Sequence, residues 1–559
     1  MKKLKQWLTF LIAAAMLLIP LTGCANGQGQ GTDNDRPTLK LFVINGNYLD
    51  GAVKDSVWKY IEDQVGVNIE ITGQVNSDDY YTVLNPQLNS ATDMPDIFFS
   101  VPAGTSGAYE TWSNQATGIL YDWKNLMAGN EAQYPYLDRL LNSDQYKNIS
   151  YSGAHTLLPN LSIPNNAWGI YYRGDWLIKI GYYTEDENGG KVPRVPVNME
   201  EFQDVMMKFS DSSYNLNPGT KTYGMSPFAG EWANQPLYHA FGAPTDYDIN
   251  ENGEVEYMCL TQAYRKFLEW FHMCYEKGWI DPQFYANGMD GDVKAFEEGR
   301  CGILINSAGD HIQWKAKPME DIWGKGTCVM GPPPVGTDKV GAEGAGGWSN
   351  WGGWWGGFSV TKACVDTDAA LRLMNYLYSE EGALTVQYGI RGTHWDWNAD
   401  KTSIAANLEN RQAEPEGTFY MQTGKNGDQN LYGKHRFSNV LLSPNPVDWD
   451  KFDETGELSF FIDWSAINPE YAYLMEDSAQ YFDMVCTSKL VNLNVLPSNL
   501  SKKANVISDL CDTYAIQAIA GQKNLTSDWD ALLENCRQQD LQKILDTYRK
   551  AAQDGGLIN

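Results

Sequence analysis

The stretch Leu39 to Asn47, LKLFVINGN, decides how the chain is to be read. Leu39 to Ile44 is a short apolar run, and Asn45-Gly46-Asn47 behind it is a turn signal, the pattern of a buried strand. Outward from it, Val53, Val57, Tyr60 and Ile61 keep helical spacing, Gly66 stops that helix, and Val67 to Ile71 reads as a second strand. Tyr81, Leu84 and Leu88 mark another amphipathic helix, and Asp93-Met94-Pro95 leads into the apolar run Asp96 to Phe99. Strand, helix, strand, helix, strand predicts the parallel sheet of an α/β domain. Ligands of such sheets lie beyond the carboxyl ends of the strands, which points to the loops Asn45 to Tyr48 and Ser100 to Ser106.

Upstream, the basic start MKKLK precedes an apolar run from Trp7 to Leu21, too short for a spanning helix and flanked like a secretory signal. Leu21-Thr22-Gly23-Cys24 resembles the bacterial lipobox, which implies cleavage after residue 23, lipidation of Cys24 and a place outside the cell membrane. Residues 24–36, rich in Gly, Gln, Asn, Thr and Asp, read as a flexible tether.

Composition narrows the partners. The 559 residues suffice for two or more core units, and 13% aromatic content argues against extensive disorder. Loss of Lys2, Lys3 and Lys5 with the signal would take the formal charge from −28 to −31, which disfavours nucleic acid and anionic lipid as partners. Beyond Cys24 the eight cysteines show no CxxC pair and no tight His/Cys cluster, so no metal or other cofactor is expected and most thiols should be buried and free.

A second stretch stands out. Gly344 to Thr361, GAGGWSNWGGWWGGFSVT, sets Trp348, Trp351, Trp354 and Trp355 among seven glycines and runs into a β-like segment. Such alternation suits flat aromatic surfaces presented along a groove by a backbone that also approaches closely. A packed core segment is the competing reading, although glycine-flanked Trp packs poorly as a core strand.

Trp168 to Ile180, WGIYYRGDWLIKI, followed by Lys179-x-Gly181 and a helix from Asn198 to Phe209, resembles the extracellular solute-binding proteins of ABC transporters, family 1. Within them it is closest to the large lipoprotein type that serves oligosaccharide importers of Gram-positive bacteria. Further segments match in order: Phe241-Gly242-Ala243-Pro244, Tyr264 to Pro282 ending in Gly-x-Ile-Asp-Pro, Phe296 to Asn306, Gly356 to Val386, Tyr388 to Trp397, and Ile519 to Tyr548. Two of these helices are credible on their own. Asn198 and Glu201 make a capping-box-like start, and Tyr264, Phe267, Leu268, Phe271 and Tyr275 share a face that Gly278 ends.

The resemblance implies two α/β lobes of the type II periplasmic-binding kind joined by crossover strands. Residues 37–165 plus 357–440 would form the first lobe, and 166–356 plus 441–559 the second lobe with the C-terminal helices. Gly344 to Trp355 would then arch over the cleft, and Gly356 to Thr361 would return the chain to the first lobe. Where relatives carry an acidic calcium loop, Asp211 to Gly219 keeps only one carboxylate, so bound calcium is not expected.

The implied function is capture of a neutral oligosaccharide by a monomeric, lipid-anchored protein that delivers it to ABC permease subunits. Sugars present apolar C–H faces and polar edges, so the site needs aromatic platforms and hydrogen-bonding side chains. Candidate platforms are Trp348, Trp351, Trp354, Trp355, Trp395, Trp397 and Trp232; candidate polar contacts are Glu231, Asn45, Asn47, Asn306, Asn350 and Asp396. Roughly half the platforms are expected to be scaffold, and for each polar residue a loop-fixing role competes with ligand contact. A secreted glycoside hydrolase with paired carboxylates such as Asp396 and Glu231 is the enzymatic alternative. No GxSxG, HExxH or Walker motif supports catalysis, and a surface lectin is the third reading.

Overall fold

The first sheet is built from the opening strands and one late arrival. Its order is Asn68–Ile71, Thr38–Phe42, Ile97–Ser100, Trp354–Val360, Leu158–Leu161. The first three strands run parallel, and Trp354–Val360 enters antiparallel to both of its neighbours. The computed structural model describes residues 36–558 except 44–53, 55, 74, 76–79, 92, 106–107, 144–145, 147–148, 162–167, 228–233, 287–290, 308–318, 350–353, 400–402, 408, 411–421, 424–428, 431–445, 457–458, 462–479, 482–483, 487 and 491–494. Residues Thr38–Asn559 form one compact unit, distinct from Met1–Pro37.

The helices follow from apolar spacing. Ser56–Val65 buries Val57, Trp58 and Ile61, and Tyr80–Ser90 buries Tyr80, Leu84 and Leu88. Tyr80 closes its end of the sheet, because its hydroxyl donates to the carbonyl of Phe99 at 2.5 Å. These side chains join the strands in one hydrophobic core that runs from Leu39 to Leu161 and resumes at Phe358. That core also takes in Val447 and Trp449, past the expected boundary near residue 440. Trp449 is fixed there by its Nε1–H, which donates to the carbonyl of Tyr378 at 2.9 Å.

A second sheet has the order Cys328–Gly331, Trp168–Arg173, Cys301–Ser307, Tyr223–Met225. Helices Met199–Ser210 and Gln262–Glu276 bury Phe202, Val205, Met206 and Phe209, and Tyr264, Phe267, Leu268 and Phe271, in a second core. Asn198 accepts the N–H of Glu201 at 3.0 Å, whereas the Glu201 carboxylate reaches back to the N–H of Val197 rather than of Asn198. Gly278, at φ +72°, ends the longer helix. The C-terminal helices Ser498–Ile519, Ser527–Gln538 and Leu541–Asp554 add Ile507, Trp529 and Ile544 to the same core. The eight described cysteines are free thiols, all buried except the half-buried Cys486. Among the described residues no helix is long and apolar enough to cross a membrane.

The returning strand Trp354–Val360 is the tightest fit in the first sheet. A Cβ on Gly357 would lie 2.1 Å from the carbonyl oxygen of Leu158, and one on Gly356 would lie 2.8 Å from that of Ser100. Trp123 Nε1 donates to the carbonyl of Phe358 at 3.2 Å, the hydroxyls of Tyr109 and Ser359 lie 2.6 Å apart, and Thr361 Oγ1 donates to the carbonyl of Pro95 at 2.6 Å. Gly357→Ala should therefore force the strand off its neighbours and cost roughly 1–3 kcal/mol. Thermal unfolding of the mature protein checks this, and an unchanged midpoint would show that the sheet can open at no cost.

Candidate functional site

Among the described residues the chain passes from one core to the other three times: after Leu161, after Ser349, and between Phe460 and Met484. The second and third crossings are joined. Trp348–Ser349 pairs in parallel with Val485–Cys486, and the Trp348 N–H donates to the carbonyl of Met484 at 2.7 Å. The Trp348 indole is fully buried in the second core and its Nε1–H donates to the carbonyl of Tyr481 at 2.8 Å. Gly347 lets the ribbon pass, since a Cβ there would lie 2.8 Å from Cys486 Sγ.

His239 secures the same crossing from the side. Its Nδ1 lies 2.9 Å from the carbonyl of Gly347 and donates to it, which leaves Nε2 to accept from Thr245 Oγ1 at 3.2 Å or Ser349 Oγ at 3.4 Å. Thr245 Oγ1 also lies 3.1 Å from the carbonyl of Cys486. Burial lowers the imidazole pKa to about 4, so the ring is neutral at physiological pH.

Trp354 opens the returning strand, is half-buried, and packs against the first core. Trp355 lies on the same strand, with its side chain outside the described residues. Asn45, Asn47, Glu231, Trp232, Asn350, Trp351 and the lipidation residue Cys24 also lie outside them. Trp395 and Trp397 belong to a small third cluster with Leu384, Tyr388 and Ile404. The Trp395 indole is buried, donates to the carbonyl of Gly389 at 2.7 Å, and meets Trp397 edge-on at 5.4 Å. Trp397 is half-buried against Phe461.

Asp396 is exposed and its carboxylate accepts from Arg391 Nε at 2.9 Å. That hydrogen bond, aided by the N–H of Trp397, holds its pKa below the usual carboxylate value, the wrong direction for the general acid of a glycosidase. Asn306 is half-buried, and its amide donates to Asp292 at 2.9 Å. In the segment Asp211 to Gly219, Asp211 caps the N–H of Ser213 at 2.8 Å. The loop carbonyls of Ser210 and Leu216 accept from the ammonium groups of Lys221 and Lys179 at 3.2 and 3.3 Å. Among the described residues no group of three or more His, Cys, Asp or Glu side chains could hold a metal ion.

The structure also picks out polar groups that sequence reading missed. Asn160 Oδ1, Asn234 Oδ1, Gln235 Oε1 and Tyr247 Oη are buried without a hydrogen-bond partner. Each such atom carries a desolvation cost of about 1–3 kcal/mol unless water or ligand meets it. Asn160 ends the first sheet beside one crossing, and Asn234 and Gln235 begin helix Gln235–His239 just after Trp232. The only sequence signal for the latter two is the polar pair ahead of Pro236.

No model of a known protein family matches the chain. A curated relative, Lipoprotein LipO of Bacillus subtilis (strain 168), is 22% identical over 439 residues, covering 74% of this chain and 78% of the relative. Among solved structures, the HMO binding ABC-transporter associated solute binding protein from Bifidobacterium longum infantis ATCC 15697 aligns with a TM-score of 0.60 at 16% identity. That match covers 92% of this chain and 98% of the other. The S. pneumoniae ABC-transporter substrate binding protein FusA, solved in complex with kestose, aligns with a TM-score of 0.63 at 13% identity over 93% of this chain and 99% of its own. The chain thus has the fold of the ABC-transporter solute-binding proteins, the two-lobe α/β architecture of the type II periplasmic-binding kind.

His239 gives the crossing a pH signature. The unfolded imidazole takes up its proton near pH 6.5 and the folded one only near pH 4, so stability falls as pH drops through that interval and levels off below it. Urea midpoints between pH 7 and pH 4 should show a shallower loss for His239→Gln than for the parent. Parallel pH profiles for the two would remove His239 from the account.

Proposed function

We propose that the chain is the lipid-anchored, substrate-capturing component of an ABC importer, that its ligand is a neutral oligosaccharide, and that no bond is broken. The observation that carries this reading is the fold, shared along nearly the whole length of proteins described as HMO-binding and as bound to kestose. The lipobox-like Leu21-Thr22-Gly23-Cys24 and the likeness to a lipoprotein support anchoring through Cys24 on the outer face of the membrane. The permease is the partner on the membrane side, and the protein acts as a monomer.

On this reading residues 37–165 and 357 to about 450 are the first lobe, the boundary moved outward for Val447 and Trp449. The second lobe is 166–356 with the C-terminal helices. Trp351, Trp354, Trp355 and Trp232, with Asn45, Asn47 and Glu231, line the cleft. Trp348 serves as the anchor of their ribbon, as its burial and paired Nε1–H support. Trp397 offers a platform held by Trp395, and Asn306 and Asp396 act through their bonds to Asp292 and Arg391. Ligand drives closure only to the extent that it contacts the closed form better than the open one.

Calorimetry of the mature protein against a glycan panel, with the ligand analysed afterwards by mass spectrometry, tests the proposal. Micromolar or tighter binding with the sugar recovered intact is expected. Trp354→Ala should weaken it about tenfold with the circular dichroism spectrum unchanged. Cleaved products, or no binding to any glycan, would overturn the reading.

A further inference from the structure

The ladder between Trp354–Val360 and Leu158–Leu161 loses register near its end. Gly357 pairs with Pro159 and Trp354 with Leu161, so three steps along one strand match two along the other. Trp355 and Gly356 therefore stand opposite the single residue Asn160, the arrangement of a β-bulge. A bulge interrupts the ladder locally and re-aims a side chain, and bulges are over-represented beside functional sites.

Strand directions fix where this bulge lies. Leu158–Leu161 is antiparallel to Trp354–Val360, which is antiparallel to Ile97–Ser100, so Leu161 and Ser100 end their strands at the same edge of the sheet. Gly357 joins the two, pairing with Ser100 on one side and with Pro159 on the other. That edge carries the carboxyl ends of the parallel strands, beyond which the ligands of α/β sheets bind. Past Leu161 the chain leaves for the second core, so Asn160 is the last but one residue before a crossing.

Asn160 is held on both sides. The Tyr378 hydroxyl donates to the carbonyl of Pro159 at 2.7 Å, and Leu161 is buried in the first core opposite Trp354. Between these anchors Asn160 is only 5% exposed, yet its Oδ1 has no hydrogen-bond partner. Nothing in the apolar run Leu158-Pro159-Asn160-Leu161 calls for an amide, and a buried carboxamide oxygen costs stability until a donor meets it. An uncharged acceptor is cheaper to desolvate than a carboxylate and suits a neutral hydroxyl. We infer that Asn160 is a specificity-determining ligand residue, whose carboxamide oxygen accepts a hydroxyl of the bound sugar at the carboxyl end of the first sheet. This rests on the carbohydrate reading above and extends it to a residue outside the aromatic ribbon, on the strand that pairs with Trp354.

The test compares the parent with Asn160→Leu and Asn160→Ala by calorimetry against one panel of neutral tri- to pentasaccharides, alongside thermal unfolding without sugar. Asn160→Leu keeps the size of the side chain and removes the acceptor. It should weaken binding about tenfold and leave the sugar-free midpoint unchanged or higher, because no bond within the protein is lost. Deoxy analogues of the tightest-binding sugar give a second readout. The parent should lose about tenfold on the analogue that lacks the contacted hydroxyl, whereas Asn160→Leu should bind that analogue and the sugar alike. Asn160→Ala cannot overpack the bulge and decides the matter where Asn160→Leu unfolds. Affinities of the folded variants within about twofold of the parent overturn this inference alone. A sugar-free midpoint lowered by about 2 °C or more in both variants assigns Asn160 to the scaffold and overturns it as well. A parent that binds no sugar of the panel overturns the carbohydrate reading and this inference with it.

Discussion

Everything in the architecture depends on one strand entering a sheet it does not follow in sequence. Trp354–Val360 lies between Ile97–Ser100 and Leu158–Leu161, antiparallel to both, and it fits because Gly356 and Gly357 place no side chain against the carbonyls of Ser100 and Leu158. Until it arrives, Ile97–Ser100 and Leu158–Leu161 have no hydrogen-bonded neighbour between them. The first core is therefore completed only after the second has been threaded, and the protein is discontinuous by construction. Two crossings follow from this, and the chain's return to the second core with the C-terminal helices adds a third, tied to the second by Trp348, His239 and the pair Val485–Cys486.

This arrangement anchors the ribbon on both sides. On one side of residues 350–353 the ribbon is held by strand pairing, a buried indole and a neutral histidine. On the other it is locked into a five-stranded sheet. Closure of the cores on a ligand, as proposed above, would leave both of these anchored segments intact. Trp354, proposed above as a ligand platform, opens the strand that is locked into the first sheet.

Local patterns made much of the fold legible in the sequence. Burial periodicity located the helices Ser56–Val65, Tyr80–Ser90 and Gln262–Glu276, because the apolar spacing that defines each one lies within the helix itself. The site was harder to read for a physical reason. Trp348 looked like a ligand platform among glycines, yet what fixes its role is a carbonyl at Tyr481 and a strand at Val485–Cys486, far along the chain. The reach of the first core to Trp449 depends likewise on one distant hydrogen bond to Tyr378.

The central claim is that the two cores close on a sugar without cutting it. Small-angle scattering of the mature protein, with and without a saturating oligosaccharide identified by calorimetry, tests that claim most directly. The account predicts a smaller radius of gyration in the bound state and its full recovery once the intact sugar is dialysed away. A radius unchanged at saturation would contradict closure, and a change that persists after dialysis would contradict reversible capture.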